Sequence, residues 1–497
     1  MLFLIKLFPE ITIKSRPVRR RQTRQLRKNI RAVLVEIDSG VSVTGEWDSI
    51  EVHPSEQALT NPDVMQRISE RLANTPGISL FLEVDKYPLP DFQGILELVL
   101  AQHADNLAGK TFAVRCKRNG RQAFKSIDVE RFVGAGLLAG TAATGVSLDH
   151  PDVTVSVEVR QDSLYLVRAT HQGLGGFPLG CQDAVLSLLS GGYDSSVSSY
   201  LCIKRGMQTH YCFFNLGGRA HELAVKEVAL YLWQKYHSSH RVKFVTVPFE
   251  PVVNEILQRV DNAQMAVVLK RMMLRAAARI SGNLAIKGLC TGESVAQVAS
   301  QTLANLSVID AVTDALVLRP LITSDKQEII DLARRIGTEE FSRSIPEYCS
   351  VISRGPTTKA RCERVLEAES RLDMAVLDAA VAGAHYQLIT ELVNDFDDNN
   401  DDVDVVSIVA PGDTVIDIRH PDETAASPLR LANPGQLKVI PFYRLRNELA
   451  DADRERRLLL FCERGMISRL HAAHLQDDGF HNVAVLNFPQ PGAAPAH

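Results

Sequence analysis

The hexapeptide Ser190-Gly191-Gly192-Tyr193-Asp194-Ser195 constrains this chain more tightly than any other segment. An apolar run, Ala184 to Leu189, leads into it, and Ser196 to Leu201 follows with helical character. A strand, a Gly-Gly turn and a helix start together point backbone N–H groups at an anion. The glycines let the main chain approach that anion closely, and the serines add hydroxyl donors. No lysine follows the glycines, which excludes the GxxxxGK[ST] loop of kinases and GTPases. The competing reading is a Gly-rich strand-to-helix turn that binds nothing.

At 497 residues the chain has material for roughly three or four domains. No apolar run approaches the roughly 18 residues needed to span a bilayer, and Met1 to Lys6 lacks the form of a signal peptide. The expectation is a cytoplasmic protein with no membrane partner. Eight cysteines occur without a CxxC, which argues against a zinc ribbon or a cysteine-ligated cluster, so no resident metal site is expected. Cys202, Cys212 and Cys290 stand in apolar surroundings and read as core.

The net charge of −4 conceals a basic block. Between Lys6 and Arg31 the bases include Arg19, Arg20, Arg21, Arg24, Arg27 and Lys28, and Glu10 is the only acid. Such density on a predicted helix, Pro17 to Asp38, favours a polyanion, with a merely solvated basic helix as the alternative.

Strands are predicted at Met1 to Phe8, Val41 to Val43, Ser49 to Val52, Ile78 to Val84, Thr111 to Lys117, Val153 to Val159 and Ser163 to Thr170, with the last two forming a hairpin. With helices interleaved, these make two small α+β units. The Gly/Pro-rich stretch His171 to Gly180 marks a boundary, beyond which strands and helices alternate as in a doubly wound parallel sheet. The acidic run Asp395 to Asp404 reads as a solvated hinge, because it lacks the glycine and terminal glutamate of a calcium loop. A last α/β unit follows, with strands at Thr414 to Ile418 and Arg457 to Phe461, and the Pro/Ala tail after Phe488 is expected to be disordered.

A second chemical centre lies in that last unit. Cys462 ends the strand Leu458 to Phe461 and opens the loop Glu463-Arg464-Gly465-Met466-Ile467-Ser468-Arg469, which leads into a predicted helix, Leu470 to Asp477. Converging N–H groups, a helix N-terminus, Arg464 and Arg469 would stabilise a thiolate or a persulfide anion there. A buried structural cysteine is the alternative. Cys349, in the polar segment Pro346 to Ser353, reads equally as a bystander or as a functional thiol able to resolve a persulfide.

The SGGYDS loop resembles the SGGxDS motif of ATP pyrophosphatases, which split ATP into AMP and pyrophosphate. The Cys462 loop resembles the active-site loop of rhodanese domains, and Val415-Ile416-Asp417-Ile418-Arg419 resembles their Asp-x-Arg strand. With Tyr211 to Gly218, Leu269 to Met273, Thr291-Gly292-Glu293-Ser294 and Ser300-Gln301-Thr302, the chain is similar to the bacterial tRNA 4-thiouridine sulfurtransferase family over nearly its whole length. Tyr193 stands where that family often has Phe.

The resemblance implies an α/β multidomain protein. Its parts are a ferredoxin-like α+β domain (1–60), a THUMP α+β RNA-binding domain (61–170), a doubly wound parallel-sheet ATP pyrophosphatase (PP-loop) domain (171–394), the linker (395–404), an α/β rhodanese-like domain (405–488) and a tail (489–497). It implies ATP contacts at Leu188, Leu189, Lys270, Gly292 and Gln301 besides Ser190, Gly191, Gly192 and Ser195, with Mg²⁺ accompanying ATP. Asp194 has two readings, a catalytic acid that positions the metal–pyrophosphate or an N-cap of its helix. The resemblance further implies a persulfide on Cys462, a disulfide partner in Cys349, and arginines 19 to 27 with Lys28 on tRNA phosphates. The expected reaction is conversion of uridine 8 of tRNA to 4-thiouridine through an adenylated base. Expected partners are tRNA, a cysteine desulfurase as donor, a sulfur carrier protein for thiamine thiazole synthesis and a cellular thiol reductant. An ATP-dependent amidotransferase built on the same loop, and an RNA-binding protein with a degenerate ATP site, are the rival readings.

Overall fold

The computed structural model describes residues 1–497 except 46–48, 217, 346–354, 393–394, 396–403, 420–423, 426, 432, 442–443, 450–455, 463–467, 469–470, 473–474, 477–478, 481 and 488–497. The chain divides into two compact units, Met1–Pro178 and Leu179–His497. Among the described residues no helix is long and apolar enough to cross a membrane.

The first unit is built on one continuous sheet of eight strands: β1 (Leu2–Leu7), β2 (Ser42–Thr44), β3 (Ser49–His53), β4 (Ile78–Pro88), β5 (Thr111–Asn119), β6 (Gly145–Val146), β7 (Val153–Arg160) and β8 (Ser163–Gln172). Their order is β2-β3-β1-β4-β8-β7-β5-β6. The β7–β8 hairpin forms in the expected antiparallel register, Val157 opposite Leu166 and Val159 opposite Leu164. The sequence pattern predicts two α+β groups, and the structure joins them edge to edge. Strand β4 runs four residues past its predicted end at Val84 and pairs with β1 on one side and β8 on the other. Alternation reveals a strand, but its partner is fixed only by long-range packing.

Helix α1 (Arg16–Leu34) is amphipathic. It buries Leu26, Ile30, Val33 and Leu34 against β1 and β3 residues such as Phe3 and Ile50. Helices α2 (Pro62–Ala73), α3 (Phe92–His103) and α4 (Ser126–Gly140) complete the unit.

In the second unit a six-stranded sheet comprises β9 (Gln182–Leu188), β10 (Met207–Asn215), β11 (Lys243–Pro248), β12 (Gly288–Cys290), β13 (Leu316–Leu318) and β14 (His385–Leu388), in the order β13-β12-β9-β10-β11-β14. All neighbours are parallel except the edge pair β11–β14. The chain leaves β9 toward β10 on one side and returns to β12 on the other. The loop after β9 therefore lies at the topological switch point, where open α/β sheets place their ligands. Helices α5 (Tyr193–Lys204), α6 (Gly218–Leu232), α7 (Asn262–Asn283), α8 (Lys326–Ile336) and α9 (Cys362–Glu369) surround the sheet. Cys212 and Cys290 are fully buried and Cys202 nearly so, in keeping with a core role.

A third sheet, wholly parallel, has β15 (Val405–Val406), β16 (Thr414–Asp417), β17 (Leu437–Val439), β18 (Leu458–Phe461) and β19 (Val483–Leu486) in the order β15-β19-β18-β16-β17. Before it, Asp395, the first residue of the acidic run, is half-buried, and residues 396–403 of that run lie outside the described residues. The Asp395 carboxylate accepts from Lys226 Nζ at 2.6 Å and from Gln387 at 2.8 Å, which ties the start of the acidic run to α6 and to the sheet edge.

Arg271 on α7 is 2 % exposed and is held by Glu369 of α9, with Nε–Oε1 at 2.5 Å and Nη2–Oε2 at 3.0 Å. Removing one partner of a buried pair strands the other charge. Glu369→Ala is expected to lower stability by about 3–5 kcal/mol in urea unfolding.

Candidate functional site

The Gly-Gly loop is shaped by its own serines and by packing from behind. Ser195 Oγ donates to the Gly192 carbonyl at 3.1 Å and accepts from the Ser190 N–H at 3.2 Å, which closes the turn. Ser342 Oγ donates to the Gly191 carbonyl at 3.0 Å. His221 Nε2 lies 3.4 Å from the Ser190 carbonyl, and burial lowers the pKa of this imidazole despite that contact.

The two glycines are glycine for different reasons. Gly191 has φ +83°, and a Cβ on it would fall 2.5 Å from Ile345 Cδ1 and 3.1 Å from Val225 Cγ2. Gly192 has φ −71°, and a Cβ there would meet only Ser190 Oγ at 3.8 Å. Packing among the described residues therefore does not demand a glycine at 192, and its backbone is left uncrowded on that side. The first N–H groups of α5 start at the same turn and have no intrahelical acceptors.

Asp194 does not cap α5: the N-cap position is Gly192, and no side chain caps the helix there. Instead Asp194 Oδ1 accepts from Lys326 Nζ at 2.9 Å and Oδ2 from Gln297 Nε2 at 2.7 Å. Lys326 begins α8 and also lies 5.4 Å from the centre of the Tyr193 ring. Gly292 packs directly on this turn. A Cβ on it would fall 2.5 Å from the Asp194 carbonyl carbon and 2.8 Å from the Ser195 nitrogen.

Its neighbour Glu293 accepts from Lys270 Nζ at 2.7 Å through Oε1 and from Arg319 Nε at 2.7 Å through Oε2. Burial alone would raise the Glu293 carboxyl, but the two cations outweigh it and hold the pKa below the ordinary value. Gln301 is buried, and among the described residues its Oε1 has no hydrogen-bond partner. An orphaned acceptor there is a group awaiting a donor from a ligand. Leu189 is buried and Leu188, at the end of β9, is half-buried. Glu293, Arg319, Lys326 and Gln297 carry no local signal of a role. Only their sequence neighbours, Gly292 and the start of a capped helix, hint at them.

The second centre has its own geometry. Cys462 follows β18, the central strand of the third sheet, and is 7 % exposed. The Ser468 N–H donates to Cys462 Sγ at 3.3 Å, and Ser468 Oγ lies 3.3 Å away. Asp417, fully buried, accepts two bonds from the Arg419 guanidinium at 2.9 and 2.7 Å, and that guanidinium lies 5.1 Å from the centre of the Phe461 ring. The predicted Asp-x-Arg strand thus braces the residue before the cysteine. Arg464, Gly465, Arg469 and Cys349 lie outside the described residues.

On α1, Arg20, Arg21, Arg24 and Lys28 are exposed, while Arg19 and Arg27 are half-buried and bond the carbonyls of Thr12 and Gly45. Among the described residues no group of three His, Cys, Asp or Glu side chains is arranged to hold a metal.

A Gly-Gly loop at the switch point of a parallel sheet, with a lysine, a buried orphan amide and room beside a bare glycine, defines an ATP-pyrophosphatase type of α/β domain. Comparison with known proteins agrees. Residues 180–374 match the family "Thiamine biosynthesis protein (ThiI)", residues 90–167 the THUMP domain and residues 2–81 the ThiI ferredoxin-like domain. The chain is 53% identical to a tRNA sulfurtransferase of Pseudomonas aeruginosa and 51% identical to that of Tolumonas auensis, each over 98% of this chain and 99% of the relative. A solved 4-thiouridine synthetase–RNA complex with bound ATP is similar with TM-score 0.67 and 25% identity, covering 78% of this chain and 99% of that one. PH1313 from Pyrococcus horikoshii shares the fold, with TM-score 0.52 and 18% identity over 68% of this chain and 100% of that one. This chain belongs to the tRNA sulfurtransferase family and is an enzyme of that family.

Gly192→Ala is expected to leave unfolding within about 1 kcal/mol of the native chain, since the added methyl finds space. It is nonetheless expected to raise the KM for ATP at least about tenfold by crowding the ligand. Gly191→Ala is expected to destabilise the fold by about 1–3 kcal/mol, because it fills an occupied space in a left-handed conformation. Urea unfolding and ATP-dependent pyrophosphate release separate the two effects.

Proposed function

We propose that this enzyme transfers persulfide sulfur to uridine 8 of tRNA, forming 4-thiouridine at the expense of ATP, which becomes AMP and pyrophosphate. The observation that carries the reading is the Gly192 turn with the open N-terminus of α5, in a chain that spans 99% of an ATP-bound 4-thiouridine synthetase. A uracil carbonyl oxygen is a poor leaving group and must first be activated. Its O4 attacks the α-phosphorus, pyrophosphate departs, and the base becomes adenylated. Lys270 and the N–H groups around Gly191 and Gly192 offset the developing charge on the phosphate oxygens. Gln301 Oε1, unpartnered in the protein, suits a donor on ATP.

Asp194 is the acid of the loop, and its two oxygens are engaged by Lys326 and Gln297, so Mg²⁺ would be held chiefly by the phosphates with Asp194 beside them. There it would neutralise phosphate charge.

Cys462 carries the incoming sulfur as a persulfide supplied by a cysteine desulfurase. The Ser468 N–H aimed at Sγ supports an anionic sulfur at this position. The terminal sulfur attacks C4 and AMP leaves, which joins Cys462 to the base through a disulfide. Cys349 then attacks Cys462 Sγ, 4-thiouridine departs, and the Cys349–Cys462 disulfide is opened by a cellular thiol reductant. The exposed bases of α1, Arg20, Arg21, Arg24 and Lys28, with Arg19 and Arg27 at their side, suit tRNA phosphates. The C-terminal parallel sheet, with Cys462 after its central strand, serves as the rhodanese-like module. The match to a thiamine biosynthesis family favours a second acceptor at the same cysteine, a sulfur carrier protein.

With purified enzyme, ATP, tRNA and a persulfide donor, nucleoside mass spectrometry is expected to detect 4-thiouridine. Cys462→Ser is expected to abolish it and to leave tRNA affinity within about twofold of native. Unchanged product in that variant removes the persulfide role.

A further inference from the structure

The residue beside the glycine of the Thr291-Gly292-Glu293-Ser294 segment is more than a filler. Lys270 has three N–H donors, and one is spent on Glu293 Oε1 at 2.7 Å. The carboxylate therefore sets where the other two point. Glu293 is itself fixed from behind. Its Oε2 accepts from Arg319 Nε at 2.7 Å and from Thr291 Oγ1 at 3.1 Å. The remaining face of the Arg319 guanidinium is taken by Asp310, at 2.9 Å from Nη1 and 2.5 Å from Nη2. Asp310, Arg319, Glu293 and Lys270 thus form a chain of alternating charge, and its inner members are only about a tenth exposed. A guanidinium bound on both edges has no freedom to follow a moving carboxylate.

One residue earlier, Gly292 lies against the backbone of Asp194 and Ser195, which seats its neighbour Glu293, the anchor of Lys270, close to the turn that opens α5. A flexible lysine standing alone would sample many rotamers, and a lysine tethered at one proton retains a defined direction.

We propose that Glu293 is a positioning residue for the adenylation step: braced by Arg319 and Asp310, it aims the ammonium of Lys270 at the α-phosphate. The inference rests on the reading of Lys270 as a phosphate contact. Glu293 makes no contact with ATP in this scheme and acts through the lysine. Its negative charge also tempers the lysine's pull on ground-state ATP, so removing it costs orientation in the transition state more than binding.

The test uses full-length enzyme with tRNA, a persulfide donor and varied ATP, and follows AMP release in Glu293→Gln, Arg319→Lys and Lys270→Ala. Glu293→Gln is expected to lower kcat at least about tenfold while the KM for ATP changes by less than about threefold. Arg319→Lys, which loses the two-edged brace, is expected to shift kcat in the same direction by a smaller factor, and it gives the reading if Glu293→Gln does not fold. A native kcat in either foldable variant, with Lys270→Ala inactive, overturns the inference and leaves the ATP site intact. A rise in KM with kcat unchanged also overturns it, because that marks a binding residue. Full activity in Lys270→Ala overturns the phosphate reading itself, and the inference with it.

Discussion

The six-stranded sheet of the second unit brings the N-terminus of one helix to the end of one strand at its switch point. Helix α5 follows β9 across the short loop 189–192, and β9 is the strand from which the sheet is built outward in both directions. The first N–H groups of α5 have no acceptors within the helix, and burying them without partners would be costly. The turn that presents them is secured through Ser195, Ser342 and the close seat of Gly292. Positive φ at Gly191 and an uncrowded Gly192 are two features of one main chain that doubles back sharply.

Charge is organised around that opening in pairs. Asp194 is matched to Lys326, and Glu293 to Lys270 and Arg319. Each carboxylate is held in place by its cations. The second centre uses the same economy of elements. A parallel strand ends at Cys462, a backbone N–H meets the sulfur, and the Asp417–Arg419 pair stiffens the strand beside it. Both centres sit after a strand of a parallel sheet, which is where such sheets leave unpaired backbone available for chemistry.

Much of this was legible in the residues. The Gly-Gly turn between an apolar run and a helix announces its backbone geometry. The amphipathic basic helix follows from its spacing of leucine and isoleucine. Partners distant in sequence were not legible. Asp194 could be a cap or a ligand on local grounds, and only Gln297 and Lys326, 103 and 132 residues away, decide against the cap. Glu293 reads as any acid after a glycine until Lys270 and Arg319 arrive from other elements. The joining of two α+β groups into one sheet likewise depends on β4 finding β8, a pairing that alternation cannot specify.

The central claim is that ATP activates the oxygen to be replaced. Transfer RNA carrying ¹⁸O at O4 of uridine 8 tests it directly, with the isotope followed by mass spectrometry of the nucleotide products after one turnover. Attack of O4 on the α-phosphorus predicts that the label leaves the base in the phosphate of AMP, one atom for each 4-thiouridine formed. Unlabelled AMP alongside thiolated tRNA, with the ¹⁸O in water or in pyrophosphate, would contradict the account.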